Sequence, residues 1–270
     1  MSLLTLIIIF SLAGGVVSVV LAASFLLLPE KLRTRMLPHL VSFAIGALLG
    51  AAFLALMPHA LNGRGVDDVH DITFTVLLGI LGFFLLEKLV LWRHCHHDHC
   101  EVHGADEDEH THHEHASGSH HAPAAGTLIL VGDAMHNLVD GVLIAAAFLT
   151  DPHLGVVTAI AVATHEIPQE VGDFSILLQS GYSRARALTY NVLSSVTTVI
   201  GAVIAYYALG DVQGVVPYVL AVAAASFIYI AVADLIPGLH QRTEARAAIQ
   251  QVLLILAGVV TIYFAHSTLH

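Results

Sequence analysis

Leu3 to Leu28 reads LLTLIIIFSLAGGVVSVVLAASFLLL, a run without a single charged residue. An α-helix needs roughly 20 apolar residues to cross the hydrocarbon of a bilayer, and this run exceeds that length. No basic residue precedes it, and it is longer than the roughly 7–15 residues of a signal-peptide core, so it is expected to be a span. Working outward with the same length rule, the sequence predicts further spans near 38–61, 72–92, 127–150, 154–180, 184–209, 215–237 and 248–268. The expected fold is therefore all-α and integral to the membrane, with eight transmembrane helices.

Composition agrees: 56% of the residues are hydrophobic and only 11% charged, against about a quarter charged in soluble domains. The formal charge of −11 is concentrated in one polar stretch, and nucleic acid as a partner is excluded by the lack of a basic surface. Two cysteines, Cys95 and Cys100, stand among histidines in that stretch, which argues against a disulfide framework and for soft-metal contact or none.

The ten Lys and Arg residues set the orientation. Lys31, Arg33, Arg35, Lys88, Arg93, Arg184, Arg186, Arg242 and Arg246 flank the odd-numbered loops, and Arg64 alone falls on the other side. The positive-inside rule then places the odd loops in the cytoplasm and both termini outside; a bacterial inner (plasma) membrane is the expected location. The third loop, about residues 94–121, reads HCHHDHCEVHGADEDEHTHHEHASGSHH, with eleven of the twenty histidines and seven carboxylates. It is too polar to fold on a core of its own, and is expected to be disordered and to bind metal weakly as a buffer or sensor. Residues 1–270 read as a single transmembrane domain that includes this loop. Span 2 closes with LMPHAL and span 7 with LIPGLH at opposite faces, the pattern of an inverted repeat of spans 1–3 and 6–8 around spans 4–5.

Spans 4 and 5 carry the chemistry. Span 4 holds Asp133, His136, Asn137 and Asp140; span 5 holds His165, Glu166, Gln169, Glu170 and Asp173. A carboxylate near mid-span costs roughly 2.5–3.5 kcal/mol on insertion scales, and no Lys or Arg lies between Arg93 and Arg184 to neutralise these five. The countercharge must be protons, residues of other spans or bound cations. Spacing favours cations: His136 and Asp140 stack four residues apart beside Asn137, His165 and Gln169 repeat that offset, and Glu166 and Glu170 stack on the adjoining strip. The candidate metal ligands are thus His136, Asn137, Asp140, His165, Glu166, Gln169 and Glu170. Imidazole nitrogens with carboxylate and amide oxygens suit Zn, Fe, Mn, Cd or Co better than Mg, Ca or copper(I). Pro168 should free the carbonyl of Thr164 and leave span 5 kinked and partly unwound; Gly141 and Gly172 should permit close helix approach.

VGDAMHNLVDG (Val131 to Gly141) and HEIPQEVGDF (His165 to Phe174) resemble the paired signature of the ZIP, or Zrt/Irt-like, metal transporters, closest to the subfamily with HNxxDG and HExPHEVGD. LGAAFLALMPHAL, ASFIYIAVADLIPGL and the His-rich loop resemble the family too. The resemblance implies a binuclear site on spans 4 and 5, metal taken toward the cytoplasm, and ligands at His136, Asn137, Asp140, His165, Glu166 and Gln169. Gln169 stands where the subfamily has a second histidine, and Ala51 and Ala55 replace the family's Asp and His in span 2. The expectation is a carrier of zinc first, with Fe2+, Mn2+ or Cd2+ as alternative cargo and no organic cofactor. Metal ions and the lipid bilayer are the expected partners, with a homodimer as a further one. Two rivals stand beside this reading. Efflux would use the same residues, whereas an intramembrane zinc protease would need a histidine at Gln169 to complete HExxH.

Overall fold

In the computed structural model the described residues are 1–95, 122–240 and 244–269; the His-rich loop lies almost wholly outside them. Among the described residues there are eight continuous helices and no strand: α1 Leu3–Phe25, α2 Glu30–Leu61, α3 Val69–Cys95, α4 Ala122–Thr150, α5 Pro152–Gln179, α6 Arg184–Leu209, α7 Val216–Leu239 and α8 Ala245–Leu269. All but α5 are long and apolar enough to cross a membrane. The exception is the helix with the densest polar residues, where His165, Glu166, Gln169, Glu170 and Asp173 fall within a few turns.

One boundary differs clearly from expectation. Helix α2 starts at Glu30, not near residue 38, with Pro29 in extended conformation just before it. The first two turns carry Glu30, Lys31, Arg33 and Arg35, which a rule counting only lipid-compatible residues omits. Pro38 does not begin the helix but sits within it, and its carbonyl accepts a hydrogen bond from Ser42 Oγ at 2.7 Å.

Three helices widen locally into π-helical turns, at Ala13–Val17, Ala51–Leu56 and Ile230–Leu235. The last two have a shared cause. A proline ring collides with the carbonyl four residues earlier; for Pro58 and Pro237 these are the carbonyls of Leu54 and Ala233, both inside the π segments. The wider turn moves each carbonyl aside. The two Leu-Pro helix ends noticed in the sequence are thus built alike.

Glycines set the closest approaches. A Cβ on Gly46 would lie 1.9 Å from the Ile255 carbonyl oxygen, and one on Gly258 would lie 2.3 Å from that of Phe43, so α2 and α8 touch backbone to backbone. Between α4 and α6, a Cβ on Gly141 would lie 1.8 Å from the Thr198 carbonyl oxygen and one on Gly201 would lie 2.1 Å from that of Leu138. Small residues permit such contact where lipid offers no hydrophobic drive between helices. Gly172 does not serve this end: a Cβ there would meet nothing within 4 Å. Helix α5 is buried along most of 154–171 and α2 along most of 42–56, whereas α3 and α8 lie at the periphery, with Phe74, Leu78, Leu81 and Leu85 of α3 facing outward.

Candidate metal centre

Helices α4 and α5 form a hairpin joined by Asp151 alone. Its carboxylate accepts the backbone N–H groups of His153 at 2.7 Å and Leu154 at 3.2 Å, and Pro152 fills the first helical position, where no N–H is required. So short a link fixes the vertical register of the pair. His136 and Asp140 lie before Asp151, and His165 and Glu166 after it, at similar distances along the chain. Antiparallel helices sharing one rise per residue therefore bring all four to one depth.

There the four side chains converge. His136 Nε2 lies 3.2 Å from His165 Nε2, 3.5 Å from Glu166 Oε1 and 3.7 Å from Asp140 Oδ2. His165 Nε2 lies 3.3 Å from Asp140 Oδ2 and 3.7 Å from Glu166 Oε1, and the four donor atoms all lie within 4.8 Å of one another. A tetrahedral zinc ion with bonds of about 2.0–2.1 Å requires donor-to-donor edges of about 3.3–3.4 Å. The five distances bracket that value, so an N2O2 set of the right size is present.

Electrostatics points the same way. Asp140, His165 and Glu166 are completely buried, and both carboxylates have all four oxygens without a hydrogen-bond partner among the described residues. Removing an ion from water costs several kcal/mol even after relaxation, and neutral imidazoles offset none of the charge. A divalent cation placed among two carboxylates and two imidazoles makes the group neutral. The His165 ring is oriented for this role, because its Nδ1 meets the Ala161 carbonyl at 3.1 Å. Donation from Nδ1 puts the lone pair on Nε2, the atom that faces the other donors.

Asn137 is engaged elsewhere. Its Oδ1 accepts from Thr198 Oγ1 at 2.7 Å, and its Nδ2 donates to Asp133 Oδ1 at 2.8 Å. Asp133 Oδ2 accepts in turn from Ser194 Oγ at 2.5 Å. This buried chain ties α4 to α6 beside the glycine contact at Gly141. Thr198 and Ser194 had no signal in the sequence, since hydroxyls are ordinary in membrane helices. Gln169 is half-buried one turn beyond His165, and the four-donor group closes without it. Glu170 is buried with neither carboxylate oxygen hydrogen-bonded among the described residues, in the neighbourhood of Asp133, Asp173 and Asn191. Asp234 is exposed. Helix α5 runs through Pro168 as unbroken α-helix, contrary to the expected unwinding; a proline removes one bond, and the packing of Val162, Glu166 and Val171 on either side holds the rest.

A family model described as "ZIP Zinc transporter" matches residues 1–266. The chain belongs to the ZIP family. Among individual ZIP relatives, it is 30% identical over 236 residues to "Zinc transporter ZIP13" of Pongo abelii, covering 83% of this chain and 65% of that protein. It is 32% identical over 244 residues to "Zinc transporter zipt-7.1" of Caenorhabditis briggsae, covering 74% and 61%. The alignment with "Zinc transporter foi" of Drosophila melanogaster is 39% identical over 137 residues, half of this chain and 19% of that protein. The chain thus spans less than two thirds of the first two relatives. Membership of the ZIP family accounts for the apolar helices, and this ZIP protein resides in a membrane.

Proposed function

We propose that the protein carries a divalent transition metal, zinc first, across the bilayer into the cytoplasm. The observation that carries this reading is the four-donor group of His136, Asp140, His165 and Glu166, whose edges of 3.2–3.7 Å fit a tetrahedral zinc ion. In this reading those four residues hold the metal at mid-membrane, Asn137 keeps α4 and α6 in register, and Gln169 tunes selectivity from one turn away. Glu170, Asp133 and Asp173 lead from the centre toward the cytoplasmic end of α4. All eight helices cross the membrane, with both termini outside and helices α1–α3 and α6–α8 forming an inverted repeat around α4–α5. The loop at 94–121 buffers metal on the cytoplasmic side, and Fe2+, Mn2+ and Cd2+ are competing cargo.

The test is zinc uptake into proteoliposomes with the protein inserted in known orientation. Wild type moves zinc from the extracytoplasmic face inward, and His136→Ala and His165→Ala lose that flux. Transport only in the outward direction, or full flux in both variants, would overturn the reading.

A further inference from the structure

A second pair of histidines shares the ring spacing and near-perpendicular planes of the pair at the centre. His59, at the end of α2, and His266, near the end of α8, have ring centroids 5.5 Å apart with their planes at 79°. At the centre, His136 and His165 show 5.5 Å and 85°. The local hydrogen bonding matches too: His59 Nδ1 meets the Ala55 carbonyl four residues back at 2.8 Å, as His165 Nδ1 meets that of Ala161. Donation from Nδ1 to that carbonyl fixes the tautomer whose Nε2 carries the lone pair, the form in which imidazole binds metal.

The pair is held in place by the fold. The contacts of Gly46 with Ile255 and of Gly258 with Phe43 lock α2 against α8 at backbone distance, and Gly50 packs on Ile262, one turn before His266. The π segment Ala51–Leu56 ends just before the Met57–Leu61 turn that bears His59. Both rings are half-buried. His59 also lines a cavity of about 540 Å³, with Asn62, Arg64, Thr150 and Gln213 around it, at the end of the bundle where α4 meets α5. That end carries Asp67, Asp68, Asp71, Asp151 and Asp211 against Arg64, a balance that concentrates cations. The proposed orientation places it outside. His136 lies fourteen residues before Thr150, so the centre is about 20 Å deeper.

We infer that His59 and His266 form a second metal site, taking a divalent transition ion of imidazole preference, such as Zn2+, through two ring nitrogens with water completing its shell. Mg2+ and Ca2+, which require oxygen ligands, are not its cargo. The site stands on this geometry; its role as a loading station for the centre rests on the transport reading.

The experiment is residue-resolved histidine modification of the full chain in lipid nanodiscs, with diethyl pyrocarbonate as reagent, mass spectrometry as readout and Zn2+ as probe. With zinc at ten times Kd about nine-tenths of sites are filled, so modification of both His59 and His266 falls about tenfold. The fall at His266 disappears in His59→Gln, persists in His165→Ala and is not produced by Mg2+. No zinc-dependent fall at either histidine, or a fall at His266 that survives His59→Gln, overturns the site. Because the labelling needs no transport, and His165→Ala disables only the central group, failure of this site and failure of the transport reading are told apart.

Discussion

Gly141→Ala and Gly172→Ala are the same chemical change, in the two helices of one hairpin, and they should have opposite outcomes. At Gly141 the new Cβ would lie 1.8 Å from the Thr198 carbonyl oxygen and 2.8 Å from Ala202 N. An unstrained carbon-to-oxygen contact is about 3.3–3.6 Å, so α4 and α6 must separate locally by about 1.5 Å. Overpacking of this kind costs about 1–3 kcal/mol, and loss of the bond from Thr198 to Asn137 adds about 1 kcal/mol. The total of about 2–4 kcal/mol corresponds to a thermal midpoint lower by roughly 4–16 °C for a domain of this size. Asp140 is the preceding residue, so zinc affinity should fall by about 10–100-fold, as when the partners that orient a ligand are disturbed. At Gly172 a Cβ meets nothing within 4 Å, and alanine's higher helix propensity, worth up to about 1 kcal/mol, should leave the protein equally or slightly more stable. Thermal unfolding in detergent, with and without zinc, reads both effects. A Gly141→Ala protein that melts with wild type and keeps its zinc shift would refute the close-packed account of how the centre is held.

The other predictions are simpler. Deleting residues 96–121 should change the zinc dependence of uptake without abolishing it, measured by initial rates in proteoliposomes; complete loss would move the essential site into the loop. Gln169→His should alter the order in which zinc, iron, manganese and cadmium compete for uptake, and an unchanged competition series would remove Gln169 from selectivity. Since neutral imidazole and ionised carboxylate are the binding forms, protons compete with the metal, and uptake should weaken as the medium is acidified. Undiminished uptake at about pH 5 would contradict histidine ligation.

The apolar helices were legible because apolar length is a direct property of the chain: Leu3 to Leu28 is uncharged and longer than a bilayer-crossing helix needs. The early start of α2 was not, because Glu30 to Arg35 belong to the helix but not to the lipid. Within the centre, the four-residue offset of His136 and Asp140 was enough to predict one face, and adjacency in sequence supplied the antiparallel partner. The chain from Thr198 through Asn137 to Asp133 was invisible, since it joins residues about sixty apart and uses hydroxyls that are unremarkable in themselves. Pro168 misled because proline's effect depends on neighbours that hold the helix together. Gly172 misled because a glycine's use depends on what stands opposite, which no single helix reveals. His59 and His266 stand 207 residues apart in the sequence, and only the packing of α2 on α8 makes them neighbours.

The one-residue link at Asp151 bears on how such a protein is made. Helix α5 is the segment least able to enter lipid alone, yet every donor of the four-atom group lies on α4 or α5. An insertion machine handling α5 by itself would meet buried acids with nothing to offset them. Presented as a hairpin, the two helices can offer each other partners. The one-residue link at Asp151 thus favours entry of α4 and α5 as a unit, after α1–α3 and before α6–α8 in chain order.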